Sequence, residues 1–97
     1  MANKNVNENI EFLYKTILAV ETPQECEALF DDLCTKTELA SISQRLVVAK
    51  MLSDKRVYSD IVAETGASTA TISRVNRSLA FGKGGYSTLF AKMEEKK

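Results

Sequence analysis

At 97 residues the chain has the length of one small domain, and 13 basic against 13 acidic residues leave it without net charge. Its 44% hydrophobic and 27% charged residues exclude a disordered, collagen-like or low-complexity chain. With no histidine, a Ser-His-Asp or Cys-His arrangement and any imidazole metal ligand are excluded too, so no catalytic residue and no metal site are expected.

The first eleven residues are polar and lack the apolar centre of a secretory signal, and no later run approaches the ~20 residues needed to span a bilayer. The expected location is therefore cytoplasmic. Val6, Ile10, Leu13, Tyr14, Ile17 and Leu18 recur with a helical period and predict an amphipathic first helix. Thr22-Pro23-Gln24-Glu25 then resets the chain, with Thr22 as cap, Pro23 at the first helical position and Glu25 closing a capping box. Cys26, Leu29, Phe30 and Leu33 line one face of the helix that follows. Cys26 and Cys34 lack the CxxC spacing and read as reduced thiols buried on helix faces.

Thr35-Lys36-Thr37-Glu38 is a second capping box, opening a helix through about Ser53. Its stripe is Leu39, Ile42, Leu46, Ala49 and Leu52, widened by Val48 and Met51. So much apolar surface on three helices is hard to cover in a chain this short, which buries only about 60–65% of its unfolded surface. The reading is an intertwined homodimer whose N-terminal helices, residues 5–53, share a core.

After the charged turn Ser53-Asp54-Lys55-Arg56, Ser59 caps a two-turn helix with Ile61 and Val62 inward. Gly66 stands where that helix must stop, at a position favouring left-handed backbone. Ser68 caps the next helix, anchored by Ile72, Val75 and Leu79. A short helix, a glycine turn and a second helix on sparse apolar anchors form a helix-turn-helix, residues 58–80. Opposite the anchors lie Thr69, Ala70, Ser73, Arg74 and Arg77, with Asn76 at the edge. Small residues let the backbone approach a major groove closely, hydroxyls bond bases or phosphates, and arginines reach guanine or phosphate. Ala80–Tyr86 is a loop, and Tyr86, Leu89, Phe90 and Met93 form the apolar side of a last short helix, 86–94.

Sign is separated along the chain. Residues 1–34 carry two lysines and seven carboxylates, net −5, and residues 35–97 carry eleven bases and six acids, net +5. Between Gly66 and Lys83 there are three bases and no acid. This points to an anionic partner for the C-terminal part.

From Thr35 to about Leu79 the chain resembles the tryptophan repressor family, in its TrpR-like YerC/YecD branch. Gln44-Arg-Leu-Val-Val-Ala-Lys-Met-Leu52 and Glu64-Thr-Gly-Ala-Ser-Thr-Ala-Thr-Ile-Ser-Arg-Val-Asn-Arg77 carry the resemblance, and Thr22–Leu33 extends it, so that it covers roughly Ile10 to Met93. It implies an all-α, multi-helical, interlocked homodimer that presents two recognition helices to adjacent major grooves. It also implies that Ser68, Thr69, Ala70, Thr71 and Ser73 meet an operator in double-stranded DNA. Family members regulate transcription, commonly as repressors. Tryptophan repressors hold L-tryptophan between two arginines with help from a serine, and Arg45, Arg74 and Ser78 resemble those three. The glycine that follows the second arginine in tryptophan-binding members is Val75 here, a side chain that would fill part of an indole pocket. No cofactor is therefore the leading expectation, with L-tryptophan or another small effector as the alternative. The expected function is a dimeric, sequence-specific DNA-binding transcription regulator rather than an enzyme, with no membrane or metal partner. A protein-interaction module that docks through the helix-turn-helix is the competing reading.

Overall fold

The computed structural model describes residues 2–95, with side-chain surroundings from residue 5 onward. Six helices follow one another: α1 (Ala2–Leu18), α2 (Pro23–Leu33), α3 (Lys36–Ser53), α4 (Tyr58–Thr65), α5 (Thr69–Phe81) and α6 (Gly85–Glu95). No strand occurs among the described residues. The chain divides into two compact units, one ending at Thr37 and one beginning at Glu38.

In the first unit, Pro23 enters α2 in the first turn and the Thr22 side chain accepts from the Glu25 amide at 3.1 Å. Glu25 reaches back further than a capping box requires, to the Glu21 amide at 2.8 Å. α2 buries no side chain within the chain. The cysteines depart from expectation for that reason: Cys26 is exposed and Cys34 half-buried, although both are free thiols. Thr22 and Pro23 suffice to start the helix, but among the described residues its apolar face is only partly covered, with Leu29 and Phe30 half-buried and Leu33 exposed.

The second unit holds the core. Val48, Ala49 and Met51 of α3, Ile61 of α4, Ala67, Ile72 and Val75 of the turn and α5, and Phe90 of α6 are buried together, with Leu52 and Tyr86 packed on them. The inward face of α3 is therefore Val48, Ala49 and Met51, while Ile42 and Leu46 of the expected stripe remain exposed. α3 is apolar around much of its circumference, so its period alone does not select the buried side. Its C-terminus is closed by two backbone bonds, Lys55 N to Leu52 O and Arg56 N to Met51 O, both 3.0 Å, with Lys55 in left-handed backbone at φ 66°. This is the paired closure in which a left-handed residue satisfies the last carbonyls of a helix.

Three further expectations shift here. The residue before α4 is Val57, extended and without a side-chain cap bond, so Ser59 lies inside the helix and does not cap it. Val62 points outward while Ile61 is fully buried. On α6, Phe90 is buried and stacks on Tyr86 with ring centroids 6.0 Å apart, whereas Leu89 and Met93 stay open.

Candidate nucleic-acid interface

α4 stops because Gly66 takes left-handed backbone, φ 73°, and returns its amide to the Val62 carbonyl at 2.9 Å. Thr65 ties the same corner, its Oγ1 donating to the Ile61 carbonyl at 2.7 Å and accepting from the Ala67 amide at 3.1 Å. Ala67 is buried, so the chain turns over the core rather than away from it. α5 then starts at Ser68, whose Oγ accepts the Thr71 amide and donates to Thr71 Oγ1, both at 3.1 Å. That leaves Thr71 its own hydroxyl proton to give to an outside acceptor. The first amides of α5, at Thr69 and Ala70, have no carbonyl one turn back to bond, as at any helix start.

Ile72 and Val75 plant α5 in the core, fully and nearly fully buried. Their burial turns Thr69, Ala70, Ser73, Arg74, Asn76 and Arg77 outward, and all six are exposed. The residues expected to meet a ligand thus share one face of one helix, with Ser68 and half-buried Thr71 at its start. Neither Arg74 nor Arg77 forms an ion pair among the described residues. Arg56 is the contrast. Glu64 and Asp60 both pair with it, and its guanidinium is held more firmly protonated than usual, first by the hydrogen bond to Glu64, then by the charges of Glu64 and Asp60. The acid-free stretch also runs further than the turn and helix, from Thr65 to Met93, with Arg74, Arg77, Lys83 and Lys92 inside it. Arg74 and Arg77 therefore stand exposed on this face without a carboxylate partner among the described residues.

The three residues marked for an effector are placed differently. Arg74 and Ser78 lie one turn apart on α5, both exposed. Arg45 lies on α3 and donates to Ser41 Oγ of the same helix at 3.1 Å. Val75 is only 2% exposed, packed in the core cluster that also holds fully buried Val48. One contact at this corner has no signature in the sequence. Gln44 of α3 bonds the backbone carbonyl of Thr65 at 3.1 Å. A polar residue bonded to a carbonyl 21 residues away leaves no mark in spacing or period. Among the described residues, no group of three or more Cys, Asp and Glu is placed to hold a metal ion, and no helix is long and apolar enough to cross a membrane.

The family model for the Trp repressor protein matches residues 8–94. The chain belongs to the Trp repressor family. Within it, the chain is 45% identical over 86 residues to the uncharacterized protein YerC of Bacillus subtilis (strain 168), covering 89% of this chain and 83% of that one. Two solved structures agree. A TrpR-like protein from Eubacterium eligens matches with a TM-score of 0.89 at 48% identity, covering 95% of each chain. A candidate Trp repressor from Staphylococcus aureus matches with a TM-score of 0.86 at 47% identity, covering 90% of this chain and 87% of the other. The all-helical fold and the TrpR-like YerC branch follow from these matches; the family is one of regulators, not an enzyme class.

Proposed function

We propose that this Trp repressor family member is a sequence-specific, double-stranded DNA-binding transcription regulator, a repressor, that reads its operator through α5 as a homodimer in the cytoplasm. One observation carries the reading. α5 turns an acid-free face of Thr69, Ala70, Ser73, Arg74 and Arg77 to solvent, with both arginine charges uncompensated and a capped helix start beside them. A solvated helix without such a role is ordinarily laced with opposite charges. Residues 58–80 then act as the helix-turn-helix, 5–53 as dimerisation helices and 86–94 as a supporting C-terminal helix. Arg74 and Arg77 supply charge and base contact, Thr69, Ala70 and Ser73 close approach, and Ser68 and Thr71 phosphate positioning.

The second copy is supported by the apolar side chains that the single chain leaves open, among them Phe12 at 72%, Leu18 at 83% and Met93 at 62% exposure. Contiguous exposed apolar patches larger than a few hundred Å² are rare on monomeric soluble proteins, and a second copy would cover these side chains.

No small-molecule effector is part of the reading. Val75 packs into the core at the position where the resemblance implies a glycine in tryptophan-binding members, which favours a reading without an indole pocket. Arg74 then serves DNA rather than a corepressor.

The test is selection of genomic fragments on the purified protein at near-physiological salt, with and without L-tryptophan. Enrichment of one short, two-fold-symmetric site, equal in both conditions, is the expected result. Enrichment that appears only with L-tryptophan would restore Arg45, Arg74 and Ser78 as its pocket. Random fragments in both conditions would leave the docking-module reading in its place.

A further inference from the structure

Bonds internal to the turn between α4 and α5 fix its shape, but they do not fix its attitude. Thr65 Oγ1 bonds Ile61 and Ala67, Gly66 bonds Val62, and Ser68 bonds Thr71, all within a few residues. The buried contacts of Ile61, Ile72 and Val75 hold this corner against Val48 and Ala49 of α3. Apolar contact is non-directional, so a directed hydrogen bond adds an angular constraint that packing alone does not specify. The Gln44 side chain supplies the missing direction. Its Nε2 donates to the Thr65 carbonyl at 3.1 Å in a partly buried position, joining the middle of α3 to the last residue of α4.

We propose that Gln44 is a positioning residue that sets the angle at which α5 meets DNA, an inference that rests on the DNA-binding reading above. α5 has 13 residues, about 20 Å at 1.5 Å per residue, so a tilt of about 5° at the turn moves its far end by about 1.7 Å. A displacement of that size breaks hydrogen bonds to base edges, which weaken steeply with distance and angle. Contacts from long arginine side chains to phosphates tolerate it. Gln44 therefore acts on discrimination between sequences, not on general affinity for DNA, and it touches neither the bases nor the phosphates itself. Arg56, just ahead of α4, pairs with Asp60 in its first turn and with Glu64 in its last, and these pairs run along the helix independently of Gln44.

The experiment is Gln44→Met, close in shape and without a donor, measured on the full-length protein. Binding to the selected operator and to a scrambled duplex is compared over a salt series, together with exchange of the Gly66 and Ala67 amides. Operator affinity should fall about five- to tenfold, the range of one net hydrogen bond. Scrambled-duplex affinity and the salt slope should stay at wild-type values, and the two amides should exchange faster. Gln44→Leu, likewise uncharged and without a donor, repeats the measurement where the methionine variant is unstable. Equal losses on operator and scrambled duplex would mark a merely structural residue and overturn the proposal, as would unchanged amide exchange. A wild-type chain that prefers no duplex would overturn the DNA-binding reading first, and the amide exchange alone would then still decide whether Gln44 holds the turn.

Discussion

Two residues in left-handed backbone close successive helices, and only one of them is glycine. Lys55 ends α3 at φ 66° and Gly66 ends α4 at φ 73°. At Gly66 nothing lies within 4 Å of where a Cβ would stand, so the demand there is purely conformational. Gly66→Ala should then cost about 1–2 kcal/mol, the penalty of left-handed backbone for a residue with Cβ. Lys55 already bears that penalty, and Lys55→Gly should stabilise by roughly 0.5–1 kcal/mol once the extra freedom of glycine in the unfolded chain is subtracted. Thermal unfolding at one fixed protein concentration checks both signs. A destabilised Lys55→Gly would mean that the lysine side chain makes contacts worth more than the strain.

Arg77 is exposed and forms no ion pair among the described residues, so its removal should leave the fold alone. If it faces a phosphate, Arg77→Ala should flatten the dependence of log K on log salt by about one unit. An unchanged slope in a folded variant would take Arg77 out of the interface.

Among elements, α5 separates stability from function at a single position. Ser68 caps the helix by accepting the Thr71 amide, and Ser68→Ala should cost about 1 kcal/mol of stability. Ser68→Asp keeps a capping oxygen and adds a charge favourable to the helix start, so the fold should hold at wild-type level or better. The same charge beside a phosphate should weaken DNA binding well beyond the alanine variant. Unfolding and duplex titration of the pair decide it: equal binding by both variants would place the start of α5 away from the backbone of DNA.

The start of α5 was legible in the sequence because every part of it is local. Ser68 lies three residues before the amide it caps, Gly66 two residues before the cap, and Ile72 and Val75 share one face. The start of α4 was not, since its cap position is Val57, which offers no side-chain oxygen, and tertiary burial of Ile61 holds the helix instead. The buried side of α3 was half legible. Val48, Ala49 and Met51 and the exposed Ile42, Leu46 and Val47 are equally apolar, and a period identifies an inward face only when the opposite face is polar. Gln44 was invisible for a third reason, that its partner is a carbonyl brought near only by the fold.

For the molecule as a whole, that ambiguity of α3 carries information. A helix apolar on both sides has two surfaces to cover, and the chain's own core covers one. α1 repeats the pattern, with Leu13 and Ile17 half-buried but Phe12, Tyr14 and Leu18 open. If the open surfaces belong to a second copy, unfolding couples to dissociation and stability depends on protein concentration. Each tenfold rise in concentration should add about 1.4 kcal/mol per dimer, raising Tm by about 3–5 °C for a cooperative unit near 200 residues. Leu18→Glu sharpens the test. In a monomer a residue 83% exposed tolerates a charge within about 0.5 kcal/mol. At a covered apolar seam the same charge would be stripped of water without a partner, lowering Tm sharply and shifting the species in solution towards single chains. Light scattering should give wild type the mass of two 10.7 kDa chains. The mass of one chain, a Tm independent of concentration and an indifferent Leu18→Glu would together require that the apolar faces of α1 and α3 serve a partner other than a second copy.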